Sequence, residues 1–243
     1  MMTNHRIALS YDGTDYHGWQ RQKKVRTIQG EIENALEKIL SKKISVIGSG
    51  RTDAGVHAMG QVAHFKADVR LEDAELFMAL NGILPRDIRI LSLHTVSDAF
   101  HARKSAKSKI YRYRILNSPV INPFVLRYVL HWPSSLDRES MAEAAAHFIR
   151  EADFTAFSSN RELYPVRRVT RSECIKRGRE IVYTVEANGF LRYMVRSIVG
   201  TLLEVGRGRI LPEEIENLFR EKKRSRNSPT APAIGLCLIK VKY

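Results

Sequence analysis

The chain has 243 residues, which is enough for one large domain or two small ones, each with its own core. Apolar residues make up 44 % of it, and no uncharged run is long enough to cross a bilayer, so a membrane-embedded protein is not expected. Forty Lys and Arg against 26 Asp and Glu give a net charge of +14, while two distant cysteines, Cys174 and Cys237, argue against a disulfide framework and fit a reducing cytoplasm.

The opening segment MMTNHRIALSYDG lacks the apolar core and small-residue cleavage site of an export signal. Residues 5–11 (HRIALSY) alternate apolar and polar positions and read as a strand. After the loop DGTDYHGWQRQKKVR, Thr27 is placed to cap a helix that carries Ile28, Ile32, Leu36, Ile39 and Leu40 on one face. A short strand over 44–47 runs into a glycine-rich turn, and 61–66 (QVAHFK) alternates again. A helix from about Leu71 has Glu72, Asp73 and Glu75 in its first turn, where negative charge suits the dipole, and stops at Asn81-Gly82. A strand over 88–93 completes a βαββαβ order, the split βαβ arrangement of ferredoxin-like folds.

The second half opens on IYRYRI (110–115), with Tyr111, Tyr113 and Ile115 on one face and Arg112 and Arg114 on the other. A strand over 124–132 follows, then a helix over 137–150 with Met141, Ala145, Phe148 and Ile149 inward. Segments 169–176 and 181–187 read as a hairpin turning at Lys176-Arg177-Gly178-Arg179. A helix over 190–205 carries a broad apolar stripe from Leu191 to Leu203 and ends at Gly206. Pro212 opens a last helix at its favoured first position, and 235–243 closes the chain as a strand. This half therefore reads as an extra strand plus a second βαββαβ, with residues 1–104 and 105–243 as the two halves of an α+β protein.

Positive charge is concentrated rather than spread. No acidic residue occurs between Ala99 and Leu136, a stretch holding Arg103, Lys104, Lys107, Lys109, Arg112, Arg114 and Arg127. A second cluster runs from Arg161 through Arg167, Arg168, Arg171, Lys176 and Arg177 to Arg179, with Glu162 and Glu173 among them. Lys222, Lys223, Arg224 and Arg226 precede Asn227-Ser228-Pro229 in a connector that reads as solvated. Concentrated charge of this kind suits a polyanion such as nucleic acid.

The least ordinary stretch is GSGRTDAGVHA (48–58). Its glycines require a sharp turn or a close approach, and they enclose Arg51 and Asp53. A phosphate-binding loop does not fit, because Val56-His57 stand where Lys and Ser or Thr belong, and Asp53 occupies the third glycine position of the dinucleotide pattern. What remains is a carboxylate near an arginine, which could be an ionised nucleophile or simply an Asp that caps a turn. Metal ligation is poorly supported, since His57 and His64 are not helix-spaced and there is no CxxC pair; the expected metal set is none. Tyr111 on its arginine-rich strand could stack on an extruded base, or be ordinary half-buried sheet. Arg192 and Arg196 are spaced to share one helix face, where they could bind phosphate or reach a carboxylate.

Together these segments resemble the tRNA pseudouridine synthase A family nearly end to end. YDGTDYHGWQRQ with TIQGEIENAL, GSGRTDAGVHAMGQVAHF, LNGILPRDIRI, FHARKSAKSKIYRYRI, DFTAFS, NGFLRYMVRSIVGTLLEVG and APAIGLCLIKVKY follow the family's blocks in order. Small departures are Tyr193, where the family often has His, and Gly82, where Ala is common. The resemblance implies that Asp53 is the catalytic aspartate, Arg51 the arginine beside it, Tyr111 the tyrosine that packs against the target base, and Arg196 the basic residue that pairs with the aspartate. Arg192 and Arg112 are expected to contact substrate. It implies two RRM-like halves joined into one long, mainly antiparallel sheet, with helices on one face and a basic cleft on the other. It further implies a cytoplasmic homodimer that uses no cofactor and converts uridine to pseudouridine at positions 38, 39 and 40 of the tRNA anticodon stem-loop. A non-catalytic RNA-binding protein or RNA chaperone would explain the charge and Tyr111 but gives Asp53 no purpose, since an anion in an RNA cleft repels phosphate.

Overall fold

Burial alternates along the first strand, and that alternation sets which of its sides meets the core. In the computed structural model, which describes residues 2–160, 163–224 and 228–243, β1 (Thr3–Tyr11) buries Ile7, Leu9 and Tyr11 and leaves Arg6, Ala8 and Ser10 half-buried. Arg161, Glu162, Arg226 and Asn227 of the basic segments lie outside the described residues. The chain divides into two compact units, Met1–Lys107 with Cys237–Tyr243, and Ser108–Leu236.

In the first unit, β1 lies between β3 (His57–Ala67) and β4 (Ile88–Val96), antiparallel to both. The short β2 (Ile47–Gly48) pairs antiparallel with β3. With α1 (Ile28–Leu40) and α2 (Asp73–Ile83), this is the split βαβ order read from the sequence. The strand expected over 44–47 shrinks to β2, and β3 begins at His57 rather than at Gln61. The larger correction concerns the last strand. Expected in the second half, β10 (Leu236–Lys242) instead pairs in parallel with β3 of the first unit through Cys237 and Leu238. Gly60 lets the two backbones meet, because a Cβ there would lie 2.5 Å from the Ile239 carbonyl oxygen.

In the second unit, β5 (Ser108–Asn117) pairs antiparallel with β9 (Glu180–Ala187), which pairs antiparallel with β8 (Val166–Arg177). A three-residue β7 (Glu151–Asp153) adds to β8, and β6 (Leu130–Trp132) adds in parallel to β5. Tyr113, Tyr183, Phe148, Phe154 and Phe157 are fully buried in this unit's core. Of the strand expected over 124–132 only β6 forms, because Asn122 caps a 3-10 turn at Pro123–Val125 instead. The helix expected over 137–150 is α3 (Arg138–Ala146), capped by Asp137. It ends early, so Phe148 is buried while Ile149 is exposed, and the chain passes into β7. The helix expected from residue 190 is α4 (Met194–Gly206), and Pro212 opens a 3-10 turn that leads into α5 (Ile215–Glu221). No described helix is long and apolar enough to cross a membrane.

Candidate active site

Buried side chains and backbone groups together hold the Asp53 turn in place. At its start, Ser49 donates from its hydroxyl to Gln61 Oε1 (2.6 Å), and Gln61 Nε2 donates to the Gly50 carbonyl (3.0 Å). Both side chains are fully buried. The Thr52 hydroxyl meets the Tyr11 hydroxyl at 2.9 Å, and the Thr52 carbonyl accepts the Trp19 N–H at 3.0 Å. Beyond the aspartate, Gly55 N–H donates to the Tyr16 carbonyl (3.2 Å), and Val56 N–H closes the turn on the Asp53 carbonyl (3.2 Å). Gly55 has φ 77°, which a residue with a side chain rarely adopts. Asp53 itself is half-buried, between neighbours whose backbones are fixed on either side.

The loop DGTDYHGW explains itself once the turn is seen, because it is the template the turn packs against. A Cβ on Gly13 would lie 2.0 Å from the Val56 carbonyl oxygen, and one on Gly18 2.6 Å from that of Thr52. Gly13 N–H donates to the buried His57 Nδ1 at 3.1 Å, so His57 serves this packing. The template is in turn fixed by α1. The first three N–H groups of a helix have no intrahelical partner; here Ile28 donates to the Gly18 carbonyl, Gln29 to the Trp19 carbonyl, and Gly30 to the Thr27 hydroxyl. Tyr16 donates to Asp87 Oδ1 (2.6 Å) while the Arg26 guanidinium lies over its ring at 4.8 Å. Burial, helped by the Asp87 carboxylate, pushes the Tyr16 phenol well above its ordinary pKa, so it stays a donor.

Arg51, expected beside the aspartate, is exposed and makes no ion pair among the described residues, so it does not hold Asp53 locally. Tyr111 is buried on β5, and its ring meets Phe190 edge-on at 5.0 Å. Arg112, on the opposite face of β5, is half-buried with its Nε buried and lacking a hydrogen-bond partner among the described residues. Arg192 and Arg196 do not share a helix face, because α4 starts only at Met194. They are brought together another way, over the ring of Tyr193, at 5.1 and 4.8 Å from its centre. Arg196 Nε also donates to the Ala231 carbonyl at 2.7 Å. Of the basic segments, Arg103, Lys104, Lys107, Arg168, Arg171, Lys176, Arg177 and Arg179 are exposed, as a polyanion-binding surface requires. Among the described residues no three of His, Cys, Asp and Glu come together as metal ligands would.

Gly13, Gly18 and Tyr16 are parts of this site that the sequence patterns above do not single out. The signal was available in the glycines of DGTDYHGW, which have no purpose in an isolated loop.

A carboxylate on an ordered turn, and exposed arginines and lysines elsewhere in the chain, are features that suit an enzyme working on a nucleic acid. A family model described as tRNA pseudouridine synthase matches residues 7–103 and 144–243. Over its full length the chain is 43 % identical to the tRNA pseudouridine synthase A of Thermodesulfovibrio yellowstonii, and 42 % identical to that of Acetivibrio thermocellus, each also covered in full. A protein named tRNA pseudouridine synthase A 2 from Bacillus cereus is 41 % identical, again with both chains covered completely. The chain belongs to the tRNA pseudouridine synthase family.

Proposed function

We propose that the chain converts uridine to pseudouridine at positions 38, 39 and 40 of the tRNA anticodon stem-loop, with Asp53 as the nucleophile. The observation that carries this reading is the Asp53 turn. The backbone on both sides of Asp53 is fixed, so the residue that bears the carboxylate is in place before the substrate arrives.

The reaction breaks the C1′–N1 bond, turns the freed uracil and joins C5 to C1′, with N1 gaining a proton as C5 loses one. Reactant and product are isomers, so one carboxylate can suffice where glycoside hydrolysis generally takes two. Extruding the nucleotide costs roughly a few kcal/mol, which backbone contacts and stacking offset. Tyr111 is assigned the face against the base, and Arg196 the role of the basic residue that serves the reacting carboxylate. Arg51, two residues before the aspartate, is assigned to the catalytic group with it, and Arg192 and Arg112 to the RNA backbone, where planar guanidinium groups suit phosphate. The family resemblance also supports action in the cytoplasm and a homodimer, the latter tested directly by light scattering on the purified protein.

The experiment is release of tritium from tRNA labelled at C5 of uridine. Release confined to the anticodon stem-loop, with tight binding but no release by Asp53→Asn, is the expected result. Wild-type release by Asp53→Asn would remove the aspartate from the chemistry.

A further inference from the structure

Four non-glycine residues among those described have positive φ: Lys24, Ser41, Tyr193 and Lys222. Ser41 and Lys222 end α1 and α5, where left-handed backbone is an ordinary way to stop a helix. Lys24 sits in an exposed turn. Tyr193 differs from all three, being aromatic, half-buried and at the start of a helix, with φ 62°. The local chemistry does not account for it. The position before a helix favours Ser, Thr, Asp or Asn, whose side chains cap the first turn, and the Tyr193 side chain makes no such bond. A bulky residue persists in this conformation only where surrounding contacts determine it.

Two guanidinium groups are among the contacts of its ring. A tyrosine ring presents its negative face to cations, and both Arg192 and Arg196 lie within cation–π distance of it. A helical φ at residue 193 would put the ring elsewhere. The left-handed one sets it against Arg196, whose Nε is at the same time tied to the Ala231 carbonyl. Ala231 N–H donates back to the Arg196 carbonyl at 3.0 Å, so backbone and side chain of Arg196 are both pinned to this segment. Gly200, one turn further along α4, permits the close packing, because a Cβ there would lie 1.9 Å from the Pro229 carbonyl oxygen. The guanidinium plane is thus held from two sides, by a carbonyl in its plane of donors and by an aromatic face.

We propose that Tyr193 is a positioning residue for the isomerisation, which acts by holding the Arg196 guanidinium in one orientation with the face of its ring. The proposal rests on the role assigned above to Arg196. It concerns the ring face and not the hydroxyl, so the two can be separated by substitution. Tyr193→Phe keeps the face, while Tyr193→Leu keeps apolar bulk and loses the face.

The test is single-turnover pseudouridine formation at saturating enzyme, with tRNA dissociation constants and circular dichroism measured on the same samples. Tyr193→Phe is expected within about twofold of wild type. Tyr193→Leu is expected to be slower by about tenfold or more, with tRNA affinity changed less than about threefold and the fold intact, because a misplaced group costs rate rather than binding. In an Arg196→Ala background, Tyr193→Leu should add nothing further. A Leu variant as fast as wild type, a Phe variant as slow as the Leu one, or additive losses in the double variant would each overturn the proposal. A wild-type rate in Arg196→Ala alone would instead remove the role of Arg196 on which it rests.

Discussion

Gly18→Ala adds one methyl group and should damage both the stability and the activity of the protein. Gly18 has φ +87°, and an alanine in that region is disfavoured by about 1–2 kcal/mol. The new Cβ would also lie 2.6 Å from the Thr52 carbonyl oxygen and 3.1 Å from both the Ala54 nitrogen and the Asp53 carbonyl carbon. These are backbone atoms of the turn itself, so relief requires the turn to move, which by analogy with overpacked cores costs roughly another 1–2 kcal/mol. The sum of about 2–4 kcal/mol corresponds to a melting temperature lower by roughly 5–15 °C in a protein of this size. Activity should fall further than stability alone explains, by about 100-fold if Asp53 is displaced by around 1 Å. The internal control is Gly82→Ala, the same chemical change within α2, where the added Cβ meets nothing within 4 Å. There the variant should gain about 0.5–1 kcal/mol from helix propensity and keep full activity. Thermal melting and tritium release on both variants decide the matter. A Gly18→Ala protein that melts with wild type and turns over normally would refute the argument that the loop is the template of the turn.

Two further perturbations probe the surrounding structure. Thr27→Ala removes the acceptor for the Gly30 N–H and should cost about 1 kcal/mol, seen as a melting temperature lower by roughly 2–4 °C; a larger loss of activity than of stability would show that the α1 N-terminus also tunes the site. Arg150 and His147 hold the Glu216 carboxyl down to about 2, so its stabilisation is complete above the usual carboxylate value and is lost as pH falls through about 2. Glu216→Gln should therefore be less stable than wild type at pH 6, by about 1 kcal/mol for so exposed a group, with the gap closing between pH 4.5 and 2. A gap that stays constant across that range would mean the carboxylate charge contributes nothing.

What could be read from the amino acids alone was whatever depends on near neighbours. The alternation of β1 and of IYRYRI, the Thr27 cap and the Gly178 turn between β8 and β9 all declare themselves within a few residues, and all appear in the structure. Interactions between distant residues were not legible. The APAIGLCLIKVKY segment shows that it is a strand but not that it joins β3 in parallel. Arg192 and Arg196 have helical spacing, yet α4 begins only after the positive φ of Tyr193 and leaves Arg192 outside it. At the site, GSGRTDAGVHA announced an unusual loop, whereas its dependence on Gly13 and Gly18 rests on contacts across about forty residues of chain.

The place of β10 bears on how the protein is made. Its last residues tie the first unit together: Lys107 N–H donates to the Lys242 carbonyl, the Tyr243 hydroxyl donates to the Ala102 carbonyl, and the Arg6 guanidinium lies over the Tyr243 ring at 5.1 Å. On the ribosome, residues 108–236 form a continuous stretch that can fold as soon as it emerges. The unit that carries Asp53 is begun first and finished last, waiting through some 130 residues of synthesis with the His57–Ala58 end of one β3 edge lacking its partner strand. During translation, the part of the chain proposed to do the chemistry is thus the part longest exposed to mispairing.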